Sequence, residues 1–147
     1  MVFDTGVLVE IVNGSRLGHG LKPRLESGSL VPHLTDLNLF ELSYLVCRRS
    51  GEAKAAEVIG SVRKAGYFEI HGNREFLEAA AKLKCGRALS VVDCVTIAAG
   101  ESLGMPVLFA TRERELDAEL KARPFSVELR FLTDSEPGPS GPAKATA

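Results

Sequence analysis

This sequence predicts an α/β fold, a three-layer α/β/α arrangement around a central parallel sheet, from three observations. Apolar runs of strand length alternate along the chain with longer stretches of helical periodicity. That order favours right-handed βαβ crossovers, which place helices on both faces of the sheet. The stretch SVVDCVTIAAGESLGMPVLFATRERELD, residues 90–117, reads as helix, turn, buried strand and acidic turn, and its helix is apolar almost all round through Val91, Val92, Val95, Ile97, Ala98, Ala99 and Leu103.

Residues 1–3 form a first strand that ends at Asp4, and residues 5–12 form a short helix broken by Asn13-Gly14. Residues 15–28 are a weaker segment, because Gly18, Gly20 and Pro23 interrupt any single long helix. Residues 30–34 are a second strand, after which Thr35 or Asn38 caps a strong helix that runs to about Arg49 and carries Glu41. Gly51 separates it from a helix over 53–64, Gly66 ends that helix, residues 67–70 make a third strand, and Asn73 caps a helix over 74–84. In the central unit Ser90 is the N-cap, Gly104 the stop, and Pro106 opens the strand 107–110. A charged helix over 114–121 follows, and the alternating segment 126–132 suits an edge strand.

With 147 residues, 45% of them hydrophobic, and no internal repeat, one domain over residues 1–132 has enough material for a single core. Residues 133–147, TDSEPGPSGPAKATA, are too poor in core-forming side chains to fold and are expected to be a disordered tail. No apolar run approaches the ~18 residues of a membrane span, and the chain opens on strand-like residues rather than a signal peptide. A cytoplasmic location without membrane contact is therefore expected. Cys47, Cys85 and Cys94 lack metal-ligand spacing and read as reduced thiols, and His19, His33 and His71 are scattered. A formal charge of -1 offers no global attraction for nucleic acid, so a polyanion needs a local basic patch.

In a parallel sheet the strand C-termini and the N-termini of the helices share one edge, so Asp4, Glu41, Asp93 and Glu113 can converge there. Each also has a plain structural role open to it. Asp93 stands at capping-box spacing from Ser90, Glu41 at capping spacing from Asn38, Asp4 ends a strand, and Glu113 and Asp117 lie on a charged helix. Glu41 fits such a role least well, because Leu37, Phe40, Tyr44 and Leu45 surround it at helical offsets and a carboxylate on an apolar face is costly unless paired. Clustered carboxylates raise one another's pKa unless a cation neutralises them. An all-oxygen site without histidine or cysteine suits magnesium or manganese, which activate water for in-line attack on a phosphodiester without a protein nucleophile.

From residue 2 to residue 132 the chain resembles the PIN-domain ribonucleases, in particular the small VapC-type toxins. The resemblance rests on the opening VFDTGVLVEIV, the acidic helix NLFELSYLV, the SVVDCVTIAAG helix and the ATRERELD turn, in that order and spacing. It implies an endonuclease acting on RNA with Mg2+ or Mn2+, the metal at Asp4, Glu41 and Asp93, Glu113 as a further catalytic acid, a homodimer and a cognate antitoxin protein. Glu113 stands where the family more often has aspartate, and Asp117 one helical turn on is a candidate substitute. Gly6 stands where many relatives have a small polar residue, with Thr5 as the compensating support. Thr111 matches the threonine before the final acid, Ser90 supports Asp93, and Arg112 and Arg114 flank the turn where RNA phosphates would lie. A phosphatase of the haloacid-dehalogenase type would need a second aspartate at position 6, where Gly6 stands, and a receiver domain would need a late-strand lysine. The alternative from another class is a non-catalytic PIN-like module that binds RNA or a protein.

Overall fold

Five short strands organise the chain, each ending where a helix or turn must leave the sheet. In the computed structural model, which describes residues 1–135, these are β1 (Val2–Phe3), β2 (His33–Thr35), β3 (Glu69–His71), β4 (Val107–Phe109) and β5 (Leu129–Phe131). They pair in parallel in the order β3-β2-β1-β4-β5, with Val2 in register with His33 on one side and Val107 on the other. The helices are α1 (Thr5–Val12), α2 (Arg16–Glu26), α3 (Asp36–Ser50), α4 (Glu52–Lys64), α5 (Leu77–Gly86), α6 (Val91–Leu103) and α7 (Arg114–Ala122).

The expected three layers follow from the pleat, which sends successive strand residues to opposite faces. Phe3, Leu34 and Leu108 pack with Val7, Leu21, Leu42 and Val58 of the first four helices. Val2, Val107, Phe109 and Phe131 pack with Ala80, Ile97 and Leu116 of the last three. The whole run Cys94–Gly100 on α6 is buried, as its all-round apolar character requires, and α6 ends at Gly104 with a φ of 63° that favours glycine.

Several boundaries differ from the sequence reading. Residues 15–28 contain one eleven-residue helix, α2, capped by Ser15. Gly18 does not interrupt it: a Cβ there would run into the backbone of Glu10 and Ile11, so glycine lets α2 cross α1 at close range. β2 and β3 start later than expected, at His33 and Glu69. Thr35, not Asn38, is the N-cap of α3, with Asn38 answering from the third helical position, so Glu41 has no part in that cap. Asn73 does not cap α5; its side-chain oxygen accepts from the Leu37 N–H at 3.1 Å, and α5 begins after the buried Phe76. Thr133, Asp134 and Ser135 belong to a short 3-10 turn, and the rest of the expected tail, residues 136–147, lies outside the described residues. Among the described residues no helix is long and apolar enough to cross a membrane.

Candidate active site

The strand order turns at β1, with β2 and β3 on one side and β4 and β5 on the other, and in such sheets the crevice opens beyond the strand C-termini at this switch point. Asp4 leaves β1 there and serves as N-cap of α1, its Oδ2 accepting from the Gly6 N–H at 2.9 Å. Glu41 lies on the second turn of α3, where its Oε1 accepts from the Tyr44 hydroxyl at 3.3 Å. Asp93 lies in the first turn of α6 in a reciprocal capping box: its N–H donates to Ser90 Oγ at 3.0 Å, and its Oδ2 accepts from the Ser90 N–H at 3.3 Å. Asp93 is thus a helix-start device, whatever else it does at this edge. Glu113 is the N-cap residue of α7 but makes no capping hydrogen bond.

These acids feel one another. Burial raises the Asp4 pKa to about 7, with Asp93 and then Glu41 pushing the same way against the Gly6 and Thr5 backbone N–H groups. Burial also lifts Asp93, where the Ser90 hydrogen bonds oppose it and Glu41 adds to it. Glu113 is raised by burial first, then by Asp93, Glu115 and Glu41. No basic side chain figures among these influences. Asp117 is absent from them too: it pairs with Lys121 at 2.6 Å and Arg112 at 3.5 Å, which hold its carboxyl below the usual range.

An acid with a folded pKa of about 7 and an unfolded value of 3.8 binds its proton more tightly in the folded state. Its contribution to stability is complete below about pH 4, declines as the pH rises and is gone above about pH 7. Asp93 and Glu113 act with the same sign. The melting temperature of the metal-free protein is therefore expected to fall across this window and to level off above it. Scanning fluorimetry checks this, with Asp4→Asn expected to flatten the slope; a melting temperature that climbs toward neutrality would contradict it.

Beneath the acids lies a polar network that the sequence reading missed. Asn38 is fully buried with Thr5, Thr35 and Thr96. Its Nδ2 donates to Thr5 Oγ1 at 3.2 Å and to Thr96 Oγ1 at 2.9 Å, and its Oδ1 accepts from the Thr35 N–H at 2.9 Å and hydroxyl at 2.7 Å. All four hydrogen-bonding positions of the amide are used. Thr5 follows Asp4, Asn38 precedes Glu41 by one helical turn, and Thr96 follows Asp93 by one turn, so this amide links the elements that carry three of the acids. The available signal was an asparagine in the otherwise apolar run Leu37–Phe40, but its partners lie in α1 and α6 and become visible only through the topology.

A PIN domain model matches residues 1–118, most of the chain. The chain belongs to the PIN domain family. PIN domains are generally nucleases that use divalent metal ions. Among solved structures, the PIN chain is similar to VapC20 of Mycobacterium tuberculosis, described as a toxin that cleaves the sarcin-ricin loop, at 21% identity and a TM-score of 0.62, with 80% of this chain and 94% of that one covered. It is similar to DNA-bound VapBC from Salmonella typhimurium at 15% identity and a TM-score of 0.63, covering 89% and 96%. FitAB bound to a DNA fragment is a further likeness, at 15% identity and a TM-score of 0.61, covering 93% and 98%. At these identities the likenesses establish the fold. No protein of curated function matches the sequence.

On this PIN fold the donor set fits a hard divalent cation: carboxylates that repel one another, with no basic partner in the influences on them. Among the described residues no three histidine, cysteine or acidic side chains already form a finished metal cage. The remaining expected site residues divide. Gly6 supports Asp4 through its own N–H, and a Cβ there would stand 3.2 Å from both Ala110 Cβ and Asp4 Oδ2, which accounts for glycine at this position. Thr5 acts through Asn38, Ser90 through the capping box, and Thr111 is exposed. Arg112 is gripped by Asp134 at 2.6 Å and stacks over Phe131 at 4.3 Å, which ties it to the 3-10 turn. Arg114 is exposed at the start of α7.

Proposed function

We propose that this PIN domain hydrolyses RNA phosphodiester bonds with Mg2+ or Mn2+ held by Asp4, Glu41 and Asp93, and that it is the toxin of a VapBC-type toxin-antitoxin pair acting in the cytoplasm. The observation that carries the reading is the set of acids at the switch point that raise one another's pKa, with no basic side chain of the described residues among the influences on them. A divalent ion held by Asp4, Glu41 and Asp93 would supply positive charge, Lewis-acid activation of water and stabilisation of charge on the phosphate. The protein's part is orientation: the Gly6 N–H fixes Asp4, Ser90 fixes Asp93, and Tyr44 fixes Glu41. Glu113 makes no capping bond and carries a raised pKa, which suits it to accept a proton from the attacking water.

Timed digestion of unstructured RNA in manganese, with and without chelator, tests the chemistry. Cleavage is expected with the ion and not without it. Saturating metal should also raise the melting temperature by roughly 5–10 °C, since ligand at 100 times its Kd adds about 2.7 kcal/mol and each kcal/mol is worth about 2–4 °C in a domain of this size. Cleavage that persists in chelator overturns the mechanism. Metal binding without cleavage of any RNA favours the second reading, a non-catalytic PIN-like module that binds RNA or protein, whose support is the glutamate at 113 where the family more often has aspartate.

The proposal includes a homodimer and an antitoxin partner. Val12 and Leu45, both more than a third exposed, line an apolar hollow of about 230 Å³ with Val9, Leu42 and Val46, where α1 meets α3. Covering such a surface is the expected role of a second chain. Light scattering at micromolar concentration is expected to give twice the 15.8 kDa chain mass, and a monomer mass would remove the dimer.

A further inference from the structure

We infer that Phe40, Tyr44 and Arg48 form a nucleobase-stacking subsite for single-stranded RNA beside the acids, an inference that rests on the RNA-cleaving reading of this site. The three residues recur every fourth position on α3, which puts them side by side on one helix face. Phe40 is 63% exposed, the highest value among the large apolar side chains of the described residues. Its ring meets Tyr44 edge-on, with centroids 5.6 Å apart, and the Arg48 guanidinium lies over the Tyr44 ring at 4.9 Å. The Tyr44 hydroxyl in turn donates to Glu41 Oε1. Each contact leads to the next, from a site carboxylate to an aromatic pair to a cation.

The arrangement is otherwise hard to account for. A phenylalanine exposed to this extent gains little from burial within its own chain, although Leu37 one turn before it packs against the core. Bases of an unpaired strand offer a flat surface to such a ring, and alanine replacement of a stacking aromatic costs about 1–3 kcal/mol, or roughly 5- to 150-fold in affinity. Arg48 supplies the positive charge a phosphate would need, about two helical turns along α3 from Glu41. Leu45 lies about 140° from Phe40 around α3 at 100° per residue but only about 60° from Arg48, so the ring of Phe40, not Arg48, stands clear of the proposed dimer surface.

The test compares wild type and Phe40→Ala for binding and cleavage of a short unstructured RNA, and of the same RNA with single abasic positions around the cleaved bond. Binding is read by fluorescence anisotropy in calcium and cleavage in manganese, with thermal stability and mass measured alongside. Phe40→Ala is expected to weaken RNA binding at least fivefold and to raise KM with kcat nearly unchanged, and at one abasic position the two proteins should bind equally. Equal binding of intact RNA by both proteins overturns the subsite while leaving the nuclease reading in place. Loss of RNA binding by wild type overturns both. A fall in mass from dimer to monomer in Phe40→Ala assigns the ring to a protein interface and overturns the subsite.

Discussion

Asp93→Asn is expected to lower RNA cleavage by more than about 100-fold while leaving the metal-free fold at least as stable as wild type. The two effects have opposite signs because the proposed function adds to the capping role of Asp93 a second role with different chemical demands. In the capping box, where Ser90 is the N-cap and Asp93 the third helical residue, its side chain needs only an acceptor oxygen for the Ser90 N–H, and asparagine supplies one. As a ligand it needs a negative charge, which asparagine removes. Losing even a group that merely orients a ligand costs about 10- to 100-fold, so loss of a ligand charge should exceed that. In the metal-free protein Asp93 is the neighbouring charge that most raises the Asp4 pKa, so its neutralisation should relieve Asp4 and soften the fall in stability toward neutral pH. Asp117→Asn, by contrast, is expected to leave cleavage close to wild type, since that carboxylate is bound to Lys121 and Arg112. Timed digestion with calorimetric metal titration checks the set. Full cleavage by folded Asp93→Asn would end the case for Asp93 as a ligand.

Those residues also show where the sequence was readable. Asp4, Glu41, Asp93 and Glu113 could be gathered in advance because strand and helix order is local information, and a parallel sheet then dictates which ends share an edge. The buried helix α6 was legible for a related reason: a helix apolar on every side has no face to offer water and must lie in the interior. What escaped were contacts between elements distant in the chain. Gly18 looks like a helix breaker until α1 is laid against it, and Arg112 looks like an exposed phosphate contact until the 3-10 turn brings Asp134 to it. Arg87 is the extreme case, an arginine only 8% exposed. Its guanidinium donates to the carbonyls of Glu119, Arg123 and Pro124 and stacks on Phe125, clamping the end of α7 to the end of α5. Side chains of this type are seldom buried, and no periodicity announces the exceptions.

Asn38→Leu is expected to be the most damaging single substitution near the site, although Asn38 is itself no ligand. Leucine fits the volume but forms none of the amide's hydrogen bonds, leaving the Thr5 and Thr96 hydroxyls and the Thr35 N–H in a dry interior. A buried polar group left without a partner costs about 1–3 kcal/mol, so the total should reach several kcal/mol and a loss of roughly 10–15 °C in melting temperature. Thr96→Val removes one partner, leaves the rest of the network intact, and should cost no more than about 1–3 kcal/mol. Stability alone would make Asn38 an ordinary core residue; its position between Asp4, Glu41 and Asp93 predicts more. With the link between α1, α3 and α6 gone, the carboxylates no longer share a fixed frame, and misplacement by about 1 Å can cost on the order of 100-fold in rate. At a temperature where Asn38→Leu remains folded, its metal affinity and kcat should both fall, whereas Thr96→Val should retain most of each. Equal activity in folded Asn38→Leu and wild type would reduce the network to a matter of stability.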